Sequence, residues 1–351
     1  MSIGGSSQPE LADSLGEPVG PSDDRQAAIE VNQLHKSYGE VEAVRGISFE
    51  VGAGETFGFL GPNGAGKSTT ISMLCTLIRP TKGHARVAGF DVVRQAREVR
   101  RRIGLVFQDT TLDDYLTAEE NLRFHAELYG MSGLLVASRI RQVLRMVELW
   151  DRRGSIVRTF SGGMKRRLEI ARGLLHSPRV LFLDEPTLGL DPQTRSHVWS
   201  YINELRQRED ITIFMTTHYM DEAEYCDRIA IIDQGEIVGS GTPAALKASV
   251  GQDRVQLRTD DDTATIVALQ ERFGLEAKVS EGAVALYVPG GAEFVPRLFA
   301  ELGVPIRSVN VARPTLDDVF MAYTGRTIRD AEASASDYLR AGPFMRARRS
   351  K

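Results

Sequence analysis

"ETFGFLGPNGAGKSTTISMLCTLIRP", residues 55–80, passes from an apolar strand pattern through a glycine-rich turn into a helical pattern that Pro80 closes. Its centre, 61–69, matches G-x-x-x-x-G-K-[ST], with the strand before it and the helix after it that a phosphate-cradling loop requires. Gly61, Gly64 and Gly66 let backbone N–H groups curl around an anion, with Pro62, Asn63 and Ala65 between them. The helix that follows adds the positive end of its dipole. Lys67 is placed to reach the outer phosphates, Ser68 to ligate Mg²⁺, and Thr69 to complete the loop.

Such a loop needs acids. "RVLFLDEP", 179–186, is a buried strand pattern that ends on two adjacent carboxylates, Asp184 and Glu185. A single acid at a strand end is most often a cap or turn residue. Open α/β sheets, however, deliver functional groups at the carboxyl ends of their strands, on the side of the phosphate loop. Asp184 is therefore expected on Mg²⁺, and Glu185, pointing differently, on the attacking water. Two further apolar runs, "GLVFQ" and "FMTTH", are read as strands finishing at Gln108 and His218, expected contacts for the γ-phosphate, metal and water.

Around these strands, "TAEENLRFHAELYGM" and "ASRIRQVLRMVEL" carry helical spacing and predict a helical subdomain over about 111–175. Segments such as "IEVNQLHKSYG" and "VRGISFEVGAGE" predict an antiparallel portion ahead of a mainly parallel sheet, an α/β class. "CDRIAIIDQGEIVGSGTP" reads as a hairpin turning at Gly235. From 251 the order becomes strand, helix, two strands, helix, strand, the ferredoxin-like arrangement of a small α+β domain. "PTLDDVFMAYTGR" then supplies a capped helix. The expected boundaries are a disordered leader at 1–27, a nucleotide-binding domain at 28–250, the small domain at 251–326 and a disordered basic tail at 327–351.

With 42% apolar and 26% charged residues and a formal charge of -4, the chain gives no reason to expect nucleic-acid binding. Cys75 and Cys226 lie far apart and read as reduced, buried thiols. No window approaches the roughly 20 apolar residues of a membrane span, so any membrane role is expected to come through a partner.

"TFSGGMKRRLEIARGLLH" puts Ser161, Gly162 and Gly163 at the start of a basic helix, a second anion-binding terminus in a chain with one phosphate loop. Serving the nucleotide of another subunit is the economical use for it.

Taken in order, these motifs resemble the nucleotide-binding subunit of an ATP-binding-cassette (ABC) transporter over about 29–245. By that resemblance Tyr38 in "KSYG" stacks on adenine, 61–69 is the Walker A loop and Gln108 the Q-loop glutamine. "SGGMK" is the signature, "VLFLDE" the Walker B strand, Asp191 in "GLDP" the D-loop aspartate and His218 the switch histidine. The signature departs from the commonest "LSGGQ" at Phe160 and Met164. The C-terminal "RPTLDDVFMAYTGR" is similar to the ending of daunorubicin-type drug exporter ATPases.

The resemblance implies an ATPase with ATP and Mg²⁺ as its cofactors. It also implies a homodimer sandwiching two ATP molecules, held peripherally at the cytoplasmic face of the cell membrane by a separate transmembrane permease. Drugs, lipids and envelope precursors stay open as cargo. The rival reading is a soluble ABC ATPase of translation or DNA repair. The former usually has two cassettes and the latter a long coiled coil, neither of which this sequence carries. A regulatory module with negligible turnover is a third reading, opposed by the presence of Glu185 and His218.

Overall fold

The computed structural model describes residues 27–209, 211–251, 253–280 and 282–324. The leader expected at 1–27, all but its last residue, and the tail at 327–351 lie outside them. An antiparallel pair, β1 (Ile29–Tyr38) and β2 (Val41–Val51), precedes β3 (Thr56–Leu60), which feeds through the phosphate loop into α1 (Lys67–Leu74). β4 (Lys82–Val87) and β5 (Phe90–Asp91) complete a four-stranded sheet of order β2-β1-β4-β5. The short α2 (Ala96–Arg100) leads to β6 (Ile103–Val106). Helices α3 (Ala118–Leu128), α4 (Gly133–Met146) and α5 (Gly162–Leu174) follow before the chain returns to β7 (Val180–Asp184).

Next come α6 (Pro192–Glu209), β8 (Thr212–Thr217) and α7 (Met220–Ala223). The hairpin β9 (Arg228–Asp233) and β10 (Glu236–Gly241) and then α8 (Pro243–Val250) end this part. The central sheet has the order β10-β9-β3-β8-β7-β6, parallel except for the β10 edge. Every residue of β3, β7 and β8 is buried, which is why they read as unbroken apolar runs and not as alternating ones. Because β3 lies beside β8 and β8 beside β7, the phosphate loop, Asp184 and His218 leave the sheet at one edge.

Phe214 on β8 is the hub between the two sheets. Its ring lies 5.7 Å from Phe57, 5.5 Å from Phe182 and 5.9 Å from Phe49 of the antiparallel sheet. Phe214→Ala is expected to cost about 3–5 kcal/mol, because the cavity it leaves is walled by rigid strands. Urea denaturation should show a lower midpoint, and an unchanged midpoint would mean that these rings do not join the layers.

The small domain comprises β11 (Asp253–Thr259), α9 (Asp262–Phe273), β12 (Ala277–Ser280), β13 (Ala283–Val288), α10 (Gly291–Glu301) and β14 (Ile306–Ala312). Its antiparallel order β12-β13-β11-β14 is the ferredoxin-like one, around a core that includes Val255, Leu257, Leu269 and Leu286. α11 (Leu316–Thr324) begins with a reciprocal cap, in which Asp318 Oδ2 accepts from Thr315 N at 2.8 Å and Thr315 Oγ1 from Asp318 N at 3.3 Å. The expected boundaries group this helix with the small domain, yet its apolar face, Leu316, Val319 and Phe320, joins the core that contains Leu246 of α8. The Tyr323 ring packs against β10, where a Cβ on Gly239 would sit 3.2 Å from it.

Candidate active site

The phosphate loop is held from both sides. Gly64 (φ +83°) and Gly66 (φ +109°) occupy the left-handed region that disfavours other residues. A Cβ on Gly61 would stand 2.3 Å from Ile232 O, and one on Gly66 would stand 2.6 Å from Ala43 O. No side chain caps the N-terminus of α1, so its first-turn N–H groups face the loop. Lys67 is buried beneath, its Nζ donating to Gly61 O (2.6 Å) and Pro62 O (3.1 Å) and lying 3.2 Å from Glu185 Oε1.

The two neighbouring acids face different partners. Asp184 Oδ1 accepts from Thr216 Oγ1 at 2.5 Å and from Ser68 Oγ at 3.3 Å. Burial raises the Asp184 pKa above its ordinary value; the two hydroxyls oppose that, and the Glu185 charge adds to it. Glu185 adopts φ +45°, a strained turn fixed by its own N–H on Thr216 Oγ1 at 3.1 Å. The turn swings its carboxylate away from Asp184, so that Oε1 meets Lys67 and Oε2 lies 3.2 Å from His218 Nδ1, out of hydrogen-bond alignment. Burial pushes the Glu185 pKa up, but the His218 and Lys67 contacts outweigh it and the net shift is downward. Near neutrality Glu185 is therefore an ionised base beside a cation, and the oxygens of Asp184 and Ser68 form a hard, anionic ligand pair suited to Mg²⁺.

The remaining expected residues stand on other elements. Gln108 is exposed on a loop, because β6 stops at Val106, whose pairing with Leu183 is the last of that ladder; the strand does not run to Gln108 as its sequence suggests. β8 likewise stops at Thr217, one residue short of His218. Tyr38 closes β1 half-exposed, with Lys36 Nζ 4.9 Å from its ring centroid. Ser161 caps α5 through Met164 N at 3.3 Å and is exposed, as is Gly162. Asp191 caps α6, accepting from Thr194 N (3.0 Å) and Thr194 Oγ1 (2.6 Å). These last two elements abut: a Cβ on Gly163 would stand 2.5 Å from Thr194 Cγ2, so glycine there lets the two helix starts form one surface.

Several working groups escape a reading of the sequence. Thr216 serves both acids, and buried Glu222 accepts from Thr217 Oγ1 (2.7 Å) and from Thr187 Oγ1, joining the turn after Glu185 to the strand end before His218. The only sequence signal for Thr216 and Thr217 is their position before His218.

Among curated proteins, the chain is 38% identical to the linearmycin resistance ATP-binding protein LnrL of Bacillus subtilis, over 86% of this chain and 100% of that one. It is 40% identical to the daunorubicin/doxorubicin resistance ATP-binding protein DrrA of Streptomyces peucetius, over 86% and 94% of the two chains. The chain belongs to the ABC transporter family of ATP-binding proteins. The ABC transporter family model matches residues 44–188, and the model described as "ATP-binding protein DrrA1-3-like, C-terminal domain" matches 241–324. Asp191 and His218 of this ABC ATPase lie between the two matches. Among solved structures, the dimeric bacterial ABC transporter cassette MJ0796 is similar at a TM-score of 0.56 and 28% identity, covering 61% of this chain and 98% of that one.

Proposed function

We propose that two copies of this ABC ATPase close head to tail on two ATP molecules and that closure and hydrolysis drive export through a separate transmembrane permease. The observation that carries this reading is the meeting of Lys67, Glu185 and His218, through contacts of 3.2 Å, at the mouth of the phosphate loop. The exposed helix start at Ser161 and Gly162, which touches none of that cluster among the described residues, supports a partner's nucleotide as its ligand.

In this reading Glu185 takes the proton of the attacking water while His218 steadies its second oxygen. Lys67 exchanges its carbonyl partners for phosphate oxygens and offsets the charge that develops there. Ser68 and Asp184, with Gln108 once closure brings its loop inward, would hold Mg²⁺, whose chemistry is to neutralise phosphate charge. Tyr38 offers its half-exposed ring to the adenine, and the exposed Asp191 would face the second copy.

No helix among the described residues is long and apolar enough to cross a membrane, and in this reading the permease supplies the attachment to the cytoplasmic face. A groove of about 730 Å³ beside the Gln108 loop exposes Leu77, Phe107, Leu128 and Tyr129, apolar surface suited to receive it. Linearmycin and daunorubicin/doxorubicin resistance in the relatives' names supports an antibiotic cargo within the drug or lipid-like class.

The test is affinity capture from detergent-solubilised membranes with identification by mass spectrometry, followed by reconstitution in liposomes. The expected result is a multi-span protein that raises the ATPase rate of this chain. Consistent recovery of ribosomes or DNA, with no membrane protein, would overturn export and favour the soluble-factor reading.

A further inference from the structure

Arg166 sits on α5, five residues after Ser161, and is buried. A guanidinium has five N–H donors, and here each has an acceptor. Nε donates to Pro186 O at 2.5 Å, and Nη1 to Phe107 O at 2.5 Å and Glu169 Oε2 at 3.0 Å. Nη2 donates to Asp184 O and Glu185 O, each at 3.2 Å. Four of the five acceptors are backbone carbonyls, three of them consecutive across the strained turn at Glu185.

Glu169, one turn further along the helix, extends the clamp. Its Oε1 accepts from Thr111 N at 2.7 Å, so the Arg166–Glu169 pair grips the Gln108 loop at Phe107 on one side and Thr111 on the other. The Glu185 turn is thus pinned from two directions, its N–H by Thr216 and its C=O by Arg166. Helix α5 cannot shift along its axis without moving the carbonyl of the catalytic base and both ends of the Gln108 loop. The N-terminus of this helix is the anion-binding end exposed at Ser161.

We propose that Arg166 is a positioning residue that latches each chain's catalytic base to the helix end which that chain offers to its partner's nucleotide, so that the two ATP sites of the dimer respond together. The inference rests on the two-chain site proposed above. Packing alone would not call for it, because an arginine placed only for stability has no need to spend four of five donors on the backbone that carries Glu185 and flanks Gln108.

The test compares wild type with Arg166→Lys, which keeps the charge facing Glu169 but presents one nitrogen instead of a planar fork. The double variant Arg166→Met with Glu169→Met removes both members of that ion pair together, for the case in which the first folds poorly. Steady-state turnover against ATP concentration, binding of a fluorescent ATP analogue and thermal melts are measured on the full chain. The expected result for both variants is a kcat about 10-fold lower with KM and analogue affinity within about 2-fold of wild type. The Hill coefficient should fall from about 2 toward 1.

A purely structural role would lower the melting temperature and the active fraction without changing the Hill coefficient, and that outcome overturns the proposal. So does a wild-type Hill coefficient of about 1. Glu185→Gln with ATP, run on a sizing column, separates the two levels. If it stays monomeric, the two-chain site fails and the coupling with it. If it dimerises while the Arg166 variants retain wild-type kcat and cooperativity, only the coupling fails.

Discussion

Glu185→Gln lowers steady-state ATP turnover about 10²-fold or more while ATP still binds. The amide is isosteric, so the φ +45° turn, the N–H bond to Thr216 and the carbonyl bond to Arg166 persist. What disappears is the carboxylate that Lys67 and His218 hold ionised, and with it the acceptor for the water's proton. Binding is spared because the glycines, the uncapped start of α1 and Lys67 are untouched. Unable to turn over, the variant is expected to accumulate as an ATP-bound dimer, visible as a shift to twice the mass on a sizing column. Near-normal hydrolysis would remove Glu185 from the role of base.

Ser161→Arg has an effect of comparable size by a different route. Replacing an exposed N-cap serine costs on the order of 1 kcal/mol of helix stability, too little to unfold the chain. The long side chain, however, rises beside Gly162 and Gly163 and covers the N–H groups that the partner's phosphate would approach. Loss of such preorganised donors lowers turnover about 10²- to 10³-fold. In the Glu185→Gln background the added Ser161→Arg should bind ATP as a monomer. A dimer persisting under those conditions would show that this helix end does not face the partner's nucleotide.

How much of this was legible beforehand depends on the range of the interaction. The phosphate loop, the strand ending on Asp184 and Glu185, and the signature turn are contiguous stretches whose periodicity and glycine placement encode their local form. Strand ends were less legible. The run to Gln108 looks continuous in hydropathy, but a strand continues only while a neighbour supplies hydrogen bonds, and beyond Leu183 none pairs with it. α11 shows the same limit on a larger scale: its cap and apolar face are visible in "PTLDDVF", but not which core that face joins.

By itself, the sequence determined an α/β fold with one phosphate loop, a second glycine-rich helix start at Ser161, and the ferredoxin-like order of the C-terminal strands, all set by local spacing, while the ABC type followed from the resemblance of the ordered motifs. Only the tertiary structure decided which groups those residues meet. Thr216 lies on Asp184, His218 beside Glu185, and Arg166 across two loops because β3, β8 and β7 are neighbours in the sheet though distant in the chain. Sheet order follows from the burial of whole faces against one another, a property of the assembled chain that no single stretch of it carries.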